Sequence, residues 1–273
     1  MVTGRIFAVS VVSAVLDMIL HAFLAPTYTY DYPPSFFVQS GLFKPAAGIA
    51  LLVIFALLSI VFVVIQENLP GSRISKGMRF GVSFGGLWLI GVPGMTIFFN
   101  SPLLHEVTGG ACDAASLVIL GVLLGIWTAT DSPEQKDRSP LRTLSAILVI
   151  AFFFIIGQYA AFMFMSRTPY FSIAGTSTFI WTAVLGIWTG VVYWLLRQGA
   201  GNDCSILKRS LFFGGVIVGI NWILFNLFVL LFVAMPVPDP FILAGLNIVS
   251  IIAGMVVFET LFSIRTAERS ADV

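Results

Sequence analysis

Eight apolar runs, each long enough to cross a lipid bilayer, dominate this sequence and leave only short polar connectors between them. A hydrocarbon layer about 30 Å thick is crossed by roughly 20 helical residues at about 1.5 Å per residue. Lipid offers no hydrogen-bond partner to a free backbone, and the runs lack the alternation of barrel strands. They therefore predict an all-α, multi-pass membrane bundle. The runs lie at about 6–25, 45–65, 79–99, 111–130, 144–165, 175–196, 210–234 and 241–264.

The composition agrees with that architecture, with 58% hydrophobic and 10% charged residues in a chain of 273. About a quarter of the residues of a soluble domain are charged, so a soluble globular protein is excluded. No connector is long enough to fold by itself, and the sequence contains no phosphate-binding loop with lysine, no GxSxG and no HExxH pattern. Any chemistry is therefore expected inside the bilayer or at its rims. The sequence favours a non-catalytic protein and leaves a membrane enzyme open.

Lysine and arginine residues are distributed unevenly between the two ends of the eight runs. Such residues are retained on the cytoplasmic side of a membrane. Only Lys44 and Arg167 fall on one side, and the other twelve fall at the N-terminus, at alternate connectors and at the C-terminus. This predicts a cell-membrane protein with both termini in the cytoplasm, and it accounts for the positive residues without a nucleic-acid partner. The twelve are Arg5, Arg73, Lys76, Arg79, Lys136, Arg138, Arg142, Arg197, Lys208, Arg209, Arg265 and Arg269.

The third and seventh runs begin with similar sequences at a constant offset of 133 residues. Aligning SKGMRFGVSFGGLW (75–88) with KRSLFFGGVIVGIN (208–221) pairs a phenylalanine and two glycines, and the basic connectors repeat with them. We predict two tandem four-helix repeats in parallel orientation, 1–132 and 144–273, joined by a cytoplasmic connector at 133–143. A chance match between helices rich in glycine and phenylalanine is the alternative.

Glycines four residues apart occur in four of the runs. Small residues at this spacing let helix backbones approach closely in lipid, so these helices are expected to pack tightly. Pro93, inside the third run, removes a backbone donor and is expected to kink the helix. The glycine pairs are Gly81 with Gly85, Gly121 with Gly125, Gly186 with Gly190 and Gly215 with Gly219.

Asp17 and His21 lie four residues apart in the first apolar run, so a helix places them on one face. Asp17 is about 13 Å from the helix end at Pro26, at about 1.5 Å per residue, where an ionised acid costs about 3 kcal/mol. Such a pair is expected to bind a proton, a cation or a polar head group, or else to make hydrogen bonds within the bundle. The corresponding run of the second repeat carries Gln158 and Phe162 instead. The first repeat is therefore the expected seat of a site.

The first outer connector, PTYTYDYPPSFF, places Tyr28, Tyr30 and Tyr32 at alternate positions around Asp31. Alternation is typical of an extended segment with its rings on one side. The segment is interpreted either as a cover over the outer end of the bundle or as an aromatic belt at the lipid head groups.

The second outer connector, expected at 100–114, adds His105, Glu106, Cys112 and Asp113 on the same side of the membrane as His21. These residue types bind zinc or copper, and two histidines suffice for bis-imidazole haem. His21, His105, Cys112 and Asp113 are therefore weak metal candidates. No HxxxH or CxxC spacing supports them, and no cofactor is strongly implied.

Three hypotheses follow from these patterns. The first is a small transporter or ligand-binding membrane protein with a polar site near the outer side of the first repeat, taking a small molecule or an ion. Its candidate ligand- or proton-binding residues are Asp17, His21, Tyr28, Tyr30, Asp31, Tyr32, His105 and Glu106. The second is a structural or accessory subunit of a membrane complex, or a homo-oligomer, in which the glycine-lined helices serve assembly. The third is a metal- or haem-binding redox protein. A cavity that collects the polar groups of the first repeat would favour the first hypothesis.

Overall fold

A computed structural model describes residues 2–24, 33–133, 140–165, 175–201 and 204–271, with side chains up to residue 262. These residues form helices joined by short connectors. In chain order the helices are α1 (Val2–Leu24), α2 (Phe36–Gln39), α3 (Phe43–Ile65), α4 (Arg73–Gly91), α5 (Gly94–Phe99), α6 (Leu103–Thr128), α7 (Pro140–Met165), α8 (Thr176–Leu196), α9 (Ile206–Phe212), α10 (Gly219–Val229) and α11 (Pro238–Ala271). A 3₁₀ turn, Arg197–Ala200, extends α8, and a π-helical segment, Phe213–Val218, joins α9 to α10.

Eight of the resulting helical segments are long and apolar enough to span a membrane, which confirms the predicted all-α multi-pass bundle. Each contains an 18-residue window of high mean hydropathy, and in most of them less than half of that window is buried against protein. The remaining faces of these windows carry apolar side chains suited to lipid. The chain is a multi-pass helical membrane protein.

The fourth span begins earlier than the sequence predicted, and this correction concerns the candidate site. α6 starts at Leu103, so His105 and Glu106 are in its first turns and Cys112 and Asp113 are well inside it, rather than in a connector. The polar and small residues there lower the local hydropathy, so hydropathy alone predicts a start at about residue 111. The helix continues through these residues because their side chains face protein and not lipid. The glycines pack against neighbouring helices, and His105, Glu106 and Asp113 line a cavity.

The third span is broken at the predicted proline. α4 ends at Gly91 and a short helix, α5, begins at Gly94, with Pro93 between them. Asn100 then ends α5 in the left-handed conformation, at φ 53°. Val92, in the break, and Met95, just after it, line the cavity described below.

Glycine packing joins α4 and α6 along most of their length. A Cβ atom on Gly121 would overlap the backbone oxygen of Gly77, and one on Gly81 would lie 2.8 Å from the backbone of α6. Gly190 likewise lies against Ile147 of α7, where a Cβ would be 2.6 Å from the carbonyl oxygen. The predicted close approach is confirmed for the third, fourth and sixth spans.

In the seventh span the prediction is wrong for Gly215, where a Cβ would meet nothing within 4 Å. Gly219 does lie against α11, since a Cβ there would be 3.3 Å from Ile248, and Gly214 lies against Ile252 of the same helix. All three glycines lie in or beside the π-helical segment. The i→i+5 turn holds one residue more than an α-helical turn, and the two glycines that face α11 are Gly214 and Gly219, five residues apart.

The helices of the two halves make corresponding contacts. In the first half α1 packs on α3 and α6, and α4 packs on α6; in the second half α7 packs on α8 and α11, and α10 packs on α11. Where the halves meet, Trp88 Nε1 donates a hydrogen bond to Asn221 Oδ1 at 3.0 Å. These two residues are paired by the predicted offset, since 221 minus 88 is 133. A contact between equivalent positions is what a two-fold relation would produce, although the duplication itself stays a prediction.

Candidate functional site

α1 presents one polar face to the protein and an apolar face to lipid. Its buried residues recur at helical spacing and end at Asp17, which is 1% exposed. Ser10 Oγ lies 3.3 Å from Ser59 Oγ of α3 on this same face. Asp17 is therefore directed into the bundle and away from lipid. The buried face consists of Val9, Ser10, Ser13, Ala14 and Asp17, and the exposed side includes Val12, Val15, Met18 and Ile19.

Asp17, His21 and Asp113 form a compact cluster between α1 and α6. His21 Nδ1 lies 3.3 Å from Asp17 Oδ2, and His21 Nε2 lies 3.8 Å from Asp113 Oδ1. One ligand atom from each of the three side chains lies within 4.8 Å of the other two. Two buried carboxylates thus share one imidazole as their ion-pair partner among the described residues.

The orientation of the His21 ring is set by its own helix. Nδ1 is 3.0 Å from the backbone oxygen of Asp17, one turn earlier. A carbonyl oxygen only accepts hydrogen bonds, so Nδ1 carries a hydrogen and donates it. Nε2 is then the nitrogen that faces Asp113 and the space between α1 and α6.

The cluster lines a cavity of about 540 Å³ at one end of the bundle. Five spans contribute to its wall: the last turns of α1 and α10, the first turns of α3 and α6, and the break between α4 and α5. Much of the lining is apolar, and aromatic rings form one side of it. These rings are Phe43, Trp88, Phe225, Phe228 and Phe232.

Glu106 and His105, predicted from the sequence as site residues, line the same cavity. Glu106 is 5% exposed, and its Oε1 has no hydrogen-bond partner among the described residues. His105 lies at the start of α6 and does not belong to the three-residue cluster. The lysine predicted on the outer side, Lys44, is an exposed residue of the lining.

One further sequence candidate, Cys112, lies near the cluster but outside this site. Cys112 is 3% exposed and precedes Asp113 in α6, but it is not part of the cavity lining or of the cluster. Tyr28, Tyr30, Asp31 and Tyr32 lie outside the described residues.

The second half carries a neutral counterpart of the acidic cluster. Asn247 Nδ2 donates to Gln158 Oε1 at 2.6 Å, joining α11 to α7 as Asp113 and Asp17 join α6 to α1. Gln158 is the residue that the sequence places opposite Asp17, and the offset of 133 carries Asp113 to 246, one residue before Asn247. Both amides are 1% exposed. The pair is uncharged, and Asn247 Oδ1 is buried without a hydrogen-bond partner among the described residues.

Several residues of the site were not predicted. Phe225 and Phe228 of α10, and Phe232 in the turn after it, belong to the second half and carry no local signal for a site in the first. Gly109 was also missed. It lies one helical turn before Asp113, and a Cβ there would be 3.7 Å from His21 Nε2. Extending α6 to Leu103 would have placed His105, Gly109 and Asp113 on one helix face.

Comparison with protein-family models, with curated proteins and with solved structures gives no match for this chain. The fold defines a multi-pass helical membrane protein. Its function is inferred from the chemistry of the cavity.

Proposed function

We propose that the chain is a small ligand-binding membrane protein, of the transporter kind, that accepts a cationic solute into the cavity of its first half. The observation that carries this proposal is the convergence of Asp17, Asp113 and His21 on one cavity of about 540 Å³. A cavity of this size suits a small-molecule ligand, since such sites usually measure roughly 300–1,000 Å³ and hold a few convergent polar groups in an apolar wall.

Charge selects a cation. Asp17 and Asp113 are buried, and both ion pairs go to the single imidazole of His21. Glu106 adds a third buried carboxyl to the same lining. An acid within a membrane span is costly by about 3 kcal/mol, and it is retained where it pairs with a functional partner. Three carboxyl groups thus face the imidazole of His21 and the exposed Lys44, and the remaining negative charge attracts positive solutes.

The aromatic wall supports the same conclusion. A cation is attracted to the face of an aromatic ring by about 0.5–2 kcal/mol, depending on desolvation. The hydrogen bond from Trp88 to Asn221 holds the indole ring in place at the cavity wall. The ring packs against Phe225 and Phe228, with centroid distances of 5.1 and 5.8 Å. A scaffold subunit would have no need for buried acids beside such a wall, so the ligand-binding function is preferred over an accessory role.

The preference of a cysteine in the cavity for a positively or a negatively charged thiol reagent tests this proposal without knowledge of the natural ligand. Ala47 lines the cavity, and Ala47→Cys introduces a thiol there in a background with Cys112→Ala and Cys204→Ala. Methanethiosulfonates form a mixed disulfide with the thiolate and release methanesulfinate. The compared quantity is the reaction rate of the trimethylammonium-ethyl reagent divided by that of the sulfonatoethyl reagent. We expect this rate ratio to be about tenfold higher for the cavity thiol than for free mercaptoethanol. The measurement is the two modification rates of purified protein in detergent.

Replacing Asp17 and Asp113 by asparagine is expected to return that ratio to the mercaptoethanol value. Asp131→Asn is the matched control, because Asp131 is exposed and pairs with Arg73 at the opposite end of the bundle. A cavity thiol that reacts equally well with both reagents, or a preference that survives the double replacement, would refute the proposal.

The cavity is proposed to open on the outer side of a cell membrane, with both termini in the cytoplasm. The cavity lies at the end of the bundle that carries Lys44, whereas Arg5, Arg73 and Arg209 lie at the other end. We expect a fluorescent protein that matures only in the cytoplasm to fluoresce when it is fused after residue 273. The same reporter inserted between residues 40 and 41 is expected to remain dark, and the reverse pattern would invert the orientation.

A further inference from the structure

We propose that Asp17, His21 and Asp113 bind one divalent transition-metal cation, a metal site between α1 and α6 in which the imidazole nitrogen Nε2 and the two carboxylates are the ligands. This inference rests on the proposed function, because it names the class of cation that the cavity takes. One donor atom from each of the three side chains lies within 4.8 Å of the other two, and Nε2 itself lies 3.8 Å from Asp113 Oδ1. Metal–ligand distances of about 2.0–2.2 Å place neighbouring donors roughly 3–4 Å apart, so small side-chain rotations complete the site.

The histidine is already arranged as a metal ligand. A metal-binding imidazole usually donates its second N–H to a carbonyl or a carboxylate, which fixes the ring and the tautomer. Nδ1 of His21 makes that bond with the Asp17 carbonyl at 3.0 Å. The 3.8 Å between Nε2 and Asp113 Oδ1 is too long for a hydrogen bond, but a cation about 2.1 Å from each atom fits between them.

Charge and donor type select the metal class. Two carboxylates and one neutral imidazole balance a charge of two, which leaves a neutral complex in a region of low dielectric. The cluster contains no thiolate, and one nitrogen with two oxygen donors suits Mn²⁺, Fe²⁺, Co²⁺ or Zn²⁺ better than Cu⁺. Glu106, whose Oε1 is buried without a hydrogen-bond partner, lines the cavity beside the cluster as a further oxygen donor.

Gly109 keeps the space beside Nε2 open. A Cβ at this position would meet only Nε2 of His21, at 3.7 Å, which is an ordinary contact. Any larger side chain at 109 would extend into the cavity, next to the position proposed for the metal. Gly109→Leu therefore blocks the site while it leaves all three ligands in place.

Cobalt titration tests the site. The purified full chain is treated with a chelator in detergent, dialysed and titrated with Co²⁺, and the visible d–d bands and bound cobalt are measured. We expect one Co²⁺ per chain, displaced by Zn²⁺, with an affinity that falls as the pH is lowered because protons compete for the ligands. His21→Gln and Asp113→Asn are each expected to weaken binding by about tenfold or more.

The glycine variants separate loss of the site from loss of the fold. Gly109→Leu is expected to abolish the cobalt bands, whereas Gly245→Leu is expected to bind Co²⁺ as the unmodified chain does, because a Cβ at 245 meets nothing within 4 Å. Size-exclusion elution and circular dichroism check that each variant is folded. Absence of cobalt binding by the unmodified chain, or unchanged binding by folded Gly109→Leu and Asp113→Asn, would overturn the metal site.

Failure of the metal site and failure of the proposed function give different results. If Ala47→Cys prefers the cationic reagent but Co²⁺ does not bind, the cavity accepts cations and the metal assignment is wrong. If neither the reagent preference nor cobalt binding is observed, both proposals are wrong.

Discussion

Gly121→Ala is expected to destabilise the protein by about 3 kcal/mol, a large effect for the addition of one methyl group. The new Cβ would overlap the backbone oxygen of Gly77 and lie 2.7 Å from the backbone of Gly81. Backbone atoms cannot rotate away, so α4 and α6 would have to separate by about 1 Å. The loss is measured as the change in the free energy of unfolding in a denaturant titration followed by tryptophan fluorescence.

Gly4→Ala is the matched control for this prediction. Gly4 is also a helical glycine, but a Cβ there meets nothing within 4 Å. Alanine has a higher helix propensity than glycine by about 1 kcal/mol, so this variant is expected to be as stable as the unmodified chain or slightly more stable. Equal stability of Gly121→Ala and Gly4→Ala would contradict the close contact between α4 and α6.

His21→Gln is expected to lower the free energy of unfolding of the chelator-treated protein by about 2 kcal/mol. His21 is the ion-pair partner of both Asp17 and Asp113, and its loss leaves two buried carboxylates without compensation. Removing one member of a fully buried ion pair costs about 3–5 kcal/mol. The smaller figure applies here because the His21 side chain is 35% exposed, and solvent screens part of the interaction.

A double-mutant comparison isolates that charge interaction. In a background with Asp17→Asn and Asp113→Asn, the same His21→Gln replacement is expected to cost less than about 0.5 kcal/mol, because no charge then depends on the imidazole. Equal losses in the two backgrounds would show that His21 contributes through packing and not through its pairing with the acids.

Most of the transmembrane architecture could be predicted because it depends on local properties of the chain. Apolar length fixes the spans, and Pro93 breaks the third of them wherever the rest of the bundle lies. The start of α6 could not be placed by hydropathy. Glu106 and Asp113 are polar, yet they are buried against protein, and a hydropathy average does not distinguish a polar residue facing a cavity from one facing water.

The sequence identifies candidate residues on both α1 and α6, but it places only those on α1 next to each other. Asp17 and His21 lie one turn apart, so helical periodicity alone places them together. The proximity of Asp113 depends on how α1 packs against α6, and the contribution of Phe228 depends on how the two halves meet. Contacts between helices that are distant in sequence produce no periodic pattern in the amino-acid sequence, so they could not be predicted from it. At Gly215 the sequence predicted a packing contact that is absent, because Gly214 of the π-helical segment faces α11 in its place.

The glycine contact between α4 and α6 also determines which helix can move when a solute enters. Asp113 is carried by α6, which is held to α4 backbone against backbone, so this acid belongs to a stiff two-helix unit. α1 has the smallest buried share of the eight spans, 28% of its apolar window, and it carries Asp17 and His21. When the distance between His21 and Asp113 changes, we therefore expect α1 to tilt or slide while α4 and α6 stay in place. The surrounding lipid, which covers most of α1, would then act directly on the affinity of the site.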